Sequence, residues 1–384
     1  MLKPNAYQAM ITQHAWMFLS SYEKLRAKLL HRSMINMAHL GARAFEEIGG
    51  EVVQTTAFVM SKNRVPEYEA TYVRLVDFPS QQAKEETFLL GENRHTAKQE
   101  NFEKIPGEPV AYWVSENIYT LFEKAYIMKK IAIPCQGSTI GDNNRFLRLW
   151  YEISGSKKWV PCLKGGEYRK WFGNHHYLIN WGTNGSEIKA TGRATIRNSQ
   201  KLFCNGISWS RITTNPSFRY MPKGFFFESA SGVCFPEMEN QYYILGILNS
   251  CIISVLAGVL NPTLTLQSGD VSSLPIIINE NKKNHVDMIV QQNIHISRTD
   301  WDSFETSWDF KRHPLITSKI NLEAEPTMYA DNLVEGAVVT EWKKESNLAQ
   351  AFDAWERHCD EQFNQLKSNE EELNPILDGD EGTR

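Results

Sequence analysis

The sequence predicts an α/β fold in three parts, and three observations carry that expectation. The first hundred residues alternate β-branched apolar runs with a charged, amphipathic stretch. The middle of the chain mixes short apolar runs with frequent glycine and asparagine turns, as a mixed α/β domain does. Beyond Lys282 the composition becomes charged and the apolar spacing helical. With 384 residues the chain has room for two or three domains. The expected divisions are residues 1–100, 101–285 and 286–384.

The elements follow in order. Ala9 to Leu19 is an apolar run that reads as a strand. Leu25, Leu29 and Leu30, within Tyr22–Arg32, have the spacing of a helix that packs on a sheet. Ile35–Leu40 suits a short buried strand stopped by Gly41. Val52–Met60 and Ala70–Val76 are β-branched runs joined by the polar stretch Ser61–Glu69, which predicts a hairpin. That pattern fits many α/β domains. Pro79–Pro106 is polar and weakly periodic, a linker or an exposed helix. Further on, Trp159-Val160 and Phe225-Phe226-Phe227 suit strands. Tyr242–Leu260 carries no charge and approaches the ~20 apolar residues of a membrane span. Asn249, Ser250 and Ser254 interrupt it and no basic cluster flanks it, so a long helix in a domain core is expected, and no membrane partner. Leu348, Phe352, Trp355 and Cys359 mark a C-terminal amphipathic helix. Internal repeats and low-complexity tracts are lacking.

Charge is unevenly distributed. The net charge is −4, yet residues 131–225 hold 14 Lys/Arg against 4 Asp/Glu, a local balance of +10. Residues 341–384 hold 5 against 12, a balance of −7. A basic middle beside an acidic tail suggests a polyanion-facing domain next to a solvated segment. The six cysteines never approach metal-ligand spacing, and His175-His176 are adjacent rather than one helical turn apart, so no metal is expected. The N-terminus lacks the pattern of a signal peptide, and a reduced, cytoplasmic setting follows as the default.

Within the basic middle, cations interleave with aromatics and glycine turns. Candidate DNA-binding residues are Asn143, Arg145, Lys164, Arg169, Lys170, Trp171, Arg219 and Lys223. Lysine and arginine neutralise phosphates; arginine also pairs bidentately with guanine, and asparagine with adenine. Tryptophans among these cations equally suit core packing, and Gly141-Asp142-Asn143 equally suits a tight turn. Glu341-Trp342-Lys343 has the acidic-x-Lys pattern of metal-dependent nucleases, on an expected helix rather than a strand.

Several such pieces stand in one order. Gly141-Asp142-Asn143-Asn144-Arg145-Phe146 comes first, then Lys164-Gly165-Gly166 and Arg169-Lys170-Trp171-Phe172-Gly173-Asn174. Gly206-Ile207-Ser208-Trp209-Ser210, Arg219-Tyr220-Met221-Pro222-Lys223-Gly224 and Gly269-Asp270-Val271-Ser272-Ser273-Leu274-Pro275 follow. With Ala9-Met10-Ile11-Thr12-Gln13-His14-Ala15-Trp16-Met17-Phe18-Leu19 before them and Asp300-Trp301-Asp302-Ser303-Phe304-Glu305-Thr306-Ser307-Trp308-Asp309-Phe310 after, nearly the whole chain resembles the PglX methyltransferases of BREX phage-defence systems. More distantly it resembles the single-chain adenine methyltransferases of type IIG restriction systems.

The resemblance implies site-specific adenine-N6 methylation of double-stranded DNA with S-adenosylmethionine as donor. It implies that residues 1–100 are the C-terminal half of a class I methyltransferase sheet, 101–285 a target-recognition domain, and 286–384 a truncated helical region. The family's glycine-rich donor loop and its Asn-Pro-Pro-Tyr or -Phe loop do not occur: Asn215-Pro216, Asn261-Pro262 and Asn374-Pro375 are followed by Ser, Thr and Ile. No catalytic or cofactor-binding residue is therefore expected in this chain, which looks like an internal fragment, inactive alone and binding no donor alone. Implied partners are DNA, a separate chain carrying the N-terminal methyltransferase half, and other phage-defence components. The alternative is a non-catalytic DNA-binding remnant of a truncated or split gene.

Overall fold

The computed structural model describes residues 3, 5–45, 53–263, 265–316 and 348–378. It is mixed α/β and divides into two compact units, Met1–Tyr126 with Gly258–Pro262, and Ile127–Ala257 with Thr263–Arg384.

The first unit holds β1 (Tyr7–Gln13), α1 (Glu23–Leu30), β2 (Met34–Gly41), β3 (Thr55–Ser61), β4 (Glu69–Arg74), α2 (Gln81–Leu90), β5 (Arg94–Lys98) and α3 (Glu116–Lys124). Its sheet has the order β1-β3-β2-β4-β5. β3 is antiparallel to both β1 and β2, β4 runs parallel to β2, and β5 is antiparallel to β4. The expected hairpin between Val52–Met60 and Ala70–Val76 is therefore absent, because β2 lies between β3 and β4. The polar connection has only to cross two strand spacings, roughly 10 Å, which a few extended residues at ~3.3 Å each cover. The first strand also ends earlier than expected. At His14–Met17 the chain turns into a short 3-10 segment that buries Trp16 and Met17.

α1 forms where the leucine spacing predicts a helix, but its inward face differs. Arg26 and Leu30 are buried while Leu25 is exposed. The Arg26 guanidinium donates to the carbonyls of Trp16 (2.8 Å) and Gly107 (2.9 Å), so this cation stitches the helix to two loops. Met37, His39, Phe58, Met60 and Tyr72 alternate with half-buried neighbours, the period-2 sign of a sheet packed on one face. On the other face a groove of about 620 Å³ is lined by Ala9, Ile11, Ala38, Val59, Val73 and Phe88, among others. Ile11 is 61% exposed, and Leu89 and Leu90 of α2 stand 74% and 73% exposed.

Beginning near β6 (Tyr126–Ile127), the second unit contains two four-stranded sheets. One has the order β13-β9-β10-β8 and the other β12-β11-β14-β7. The strands are β7 (Ala132–Gln136), β8 (Leu147–Leu149), β9 (Trp159–Leu163), β10 (Tyr177–Asn180), β11 (Gly206–Ser210), β12 (Phe218–Met221), β13 (Phe226–Phe227) and β14 (Ser231–Pro236). Short α4 (Asn143–Phe146) leads into β8, and α5 (Gly182–Ala190) follows β10. Ile140, Phe146, Ile179, Phe225, Phe226, Phe227 and Val233 share a core.

The apolar stretch expected as one long helix is two, α6 (Gln241–Asn249) and α7 (Cys251–Leu260), bent by 77°. The break falls at Ser250, whose backbone is extended (φ −69°, ψ 160°), and the preceding Asn249 side chain is held by strand β12. Its Oδ1 accepts from Phe218 N (3.0 Å) and its Nδ2 donates to Phe218 O (2.9 Å), as a neighbouring strand would. Among the described residues no single helix is long and apolar enough to cross a membrane, although this bent pair is by length and composition. α8 (Ser268–Ser272) and β15 (Pro275–Ile276) precede the long α9 (Glu280–Asp302) and α10 (Leu348–Asp378). α10 joins α9 through Asn369, whose Nδ2 donates to Asn293 Oδ1 at 2.7 Å. Glu341-Trp342-Lys343, the nuclease-like tripeptide, lies outside the described residues.

Candidate nucleic-acid interface

The sheet β13-β9-β10-β8 has two ends, and the sequence-predicted residues divide between them. β8 and β9 both run antiparallel to β10. The chain before β8, the chain before β9 and the chain after β10 therefore meet at one end. The 164–176 connection, after β9 and before β10, lies at the opposite end.

At the first end Asp142 caps α4, its Oδ1 accepting from Arg145 N at 3.0 Å. The cap projects Asn143, Asn144 and Arg145, all exposed, while Phe146 is fully buried as the anchor. Arg145 lies over the Phe146 ring at 4.9 Å and 3.8 Å from Glu187 on α5. Lys157 and Lys158 enter β9 here, and Trp181 N donates to Lys158 O at 2.7 Å. Arg193 joins them through Gly141. At φ +85°, Gly141 sits so close that an added Cβ would lie 2.7 Å from Arg193 Cβ. Arg145, Lys157, Lys158, Lys189 and Arg193 thus stand at this end with Asp142, engaged in capping, and Glu187, while the buried Glu228 lines the groove beside Gly141 and Arg193. A mainly cationic rim with protruding amides suits a phosphate backbone and base edges.

The opposite end is differently employed. Arg169 pairs with Asp300 on α9 and lies over the Trp301 ring at 5.1 Å. Lys170 Nζ and Trp171 Nε1 both donate to the Glu370 carboxylate of α10, at 2.8 and 2.7 Å. Trp171 is 1% exposed and Arg219 2% exposed. Arg219 donates to Arg169 O (3.0 Å) and Ser210 Oγ (3.1 Å), and burial, then the nearby Arg169 charge, pushes its pKa down to about 10. Neither Trp171 nor Arg219 presents a surface to DNA in this arrangement; both are framework. The reason is local: β12 and the 164–176 connection fold over each other, with Trp171 N donating to Phe218 O and Tyr220 N to Trp171 O. His175, next to Phe172, Phe225 and Trp308, is pushed down to about 3, by burial first, and stays neutral. Lys164 lies over the Tyr177 ring at 4.9 Å, and Lys223 is exposed on the turn before β13.

Sequence reasoning passed over the turn that opens α5. Thr183, Asn184 and Gly185 all have left-handed backbone, at φ 49°, 55° and 69°. A usable signal was present in Gly182-Thr183-Asn184-Gly185, whose Asn-Gly pair marks a turn.

No protein-family model matches the chain. Along 98% of its length it is 39% identical to the adenine-specific methyltransferase PglX of Lacticaseibacillus casei (strain Zhang), over 32% of that protein. Along 84% it is 40% identical to the adenine-specific methyltransferase BrxX of Escherichia coli O9:H4 (strain HS), over 27% of that protein. The chain thus spans about a third of the length of these curated relatives. In fold it is similar to the type IIL restriction-modification enzyme MmeI, solved in complex with DNA. That likeness has a TM-score of 0.50 at 12% identity and covers 79% of this chain and 43% of that one.

Proposed function

Because the chain corresponds in sequence, along nearly its whole length, to a segment of the PglX-type adenine-specific methyltransferases, we propose that it carries target recognition for an adenine-N6 DNA methyltransferase of a phage-defence system. The observation that carries this reading is the cationic end of the β13-β9-β10-β8 sheet, where Asn143 and Arg145 project beside Lys157, Lys158 and Arg193. Lys164 and Lys223 add positive charge elsewhere on the same unit. Arg169 and Lys170 lie at the opposite sheet end, where they tie the 164–176 connection to α9 and α10.

Methylating a base in duplex DNA requires taking it out of the stack into a pocket and holding the methyl donor in line with the nitrogen. We read residues 1–100 as the C-terminal half of a class I methyltransferase sheet, residues 101–285 as the recognition domain and 286–384 as a helical region. In support, β3 is inserted antiparallel between β1 and β2, which run in the same direction. The chain has neither a glycine-rich donor loop nor an Asn-Pro-Pro loop. Another polypeptide segment, on the same or a separate chain, supplies S-adenosylmethionine binding and the adenine pocket. The groove along β1, β3 and β2, with exposed Ile11 and Phe88 in its lining, is the apolar surface that such a segment would cover.

The test is a fluorescence-anisotropy titration of duplex DNA at several salt concentrations. The chain should bind despite its charge of −4, with log K falling linearly in log salt. Absence of any salt-sensitive binding would remove the basis for this reading.

A further inference from the structure

Three consecutive left-handed residues, two of them not glycine, need a reason to exist. Thr183 is β-branched and Asn184 follows it at φ 55°, ψ 38°. Such residues cost free energy and persist only where their surroundings over-determine them, which concentrates them at ligand clamps. The surroundings here do so. The Trp181 ring packs on Phe226 at 4.9 Å and lies against Gly185, where an added Cβ would meet it at 2.5 Å. Gly185 N donates to Trp181 O at 3.2 Å. Lys189 closes the turn from the far side, its Nζ donating to Asn184 O (2.8 Å) and lying over the Trp181 ring (5.5 Å).

All of this framework holds backbone and leaves the Asn184 side chain exposed. The turn stands at the same sheet end as Asn143 and Arg145, since Glu187 of α5 reaches Arg145. A rigid backbone presenting a carboxamide amid cations is suited to base reading. The carboxamide can pair bidentately with adenine in the major groove while neighbouring cations take phosphates. A flexible loop would serve phosphate binding equally well and would have no need of the strained conformation.

We propose that the left-handed turn Thr183–Asn184–Gly185 is a base-reading tip, with the Asn184 carboxamide as a specificity-determining group. This rests on the DNA-binding reading above and assigns one reading position within it.

The experiment selects bound duplexes from a random-sequence library, using the full chain and its Asn184→Gly variant. Glycine keeps the left-handed backbone and removes the carboxamide. The wild type should enrich one motif. Asn184→Gly should lose preference at one base pair by about tenfold, with affinity for bulk duplex and salt slope unchanged and the melting temperature not lowered. An Asn184→Asp variant, which also tolerates this backbone, should lower affinity for every sequence by placing a carboxylate against DNA. Identical motifs from the wild type and Asn184→Gly would overturn the proposal, as would wild-type binding with no enriched motif. A wild type that binds no duplex at any salt would instead fail the underlying DNA reading, and this assignment with it.

Discussion

Glu370 shows how one carboxylate redirects residues that look like DNA-binding groups in sequence. Lys170 and Trp171 both donate to it, and all three are at least half-buried. The Arg169-Lys170-Trp171 run reads as a phosphate cluster because its partners, Asp300 and Glu370, lie 131 and 200 residues further along. No local pattern reveals pairings of such separation. The exposure of Asn143 and Arg145 has a local cause instead, since the Asp142 cap that projects them lies within three residues. Replacing Glu370 by Ala should destabilise the protein by about 1–3 kcal/mol, because a buried indole N–H and a half-buried ammonium lose their acceptor. Thermal melting measures this, and an unchanged melting temperature would mean that Glu370 does not hold α10 in place.

Elements were legible where their own period decides them. The short apolar run Ile35–Leu40 became β2, and the spacing of Leu348, Phe352, Trp355 and Cys359 became α10. Pairing was not legible. β3 and β4 read as a hairpin because they are neighbours in sequence, yet both pair with β2, which comes before them. Beside the bend between α6 and α7, Asn249 bonds to Phe218, again a pairing between distant residues. β1 follows the edge rule for sheets. It pairs on one side only, with β3, and most of its side chains are exposed. Hydrogen exchange should accordingly show weak protection in β1 and strong protection in β11 and β14, whose side chains are nearly all buried. Equal protection in the three strands would mean that the β1 groove is already covered in solution.

At the scale of the molecule, a net charge of −4 coexists with a strongly cationic sheet end. The +10 balance of residues 131–225 pointed to this region, but composition alone could not say which cations share a face. The antiparallel pairing of β8 and β9 with β10 decides it, bringing together residues from three separate segments. The most direct test replaces Arg145, Lys157 and Arg193 together by Ala and repeats the salt titration on duplex DNA. All three side chains are exposed, so the fold should tolerate the change. The account predicts weaker binding to every sequence and a flatter salt dependence, by about 0.9 in the log–log slope for each phosphate no longer neutralised. Binding like wild type with an unchanged slope would show that DNA lies elsewhere on the chain.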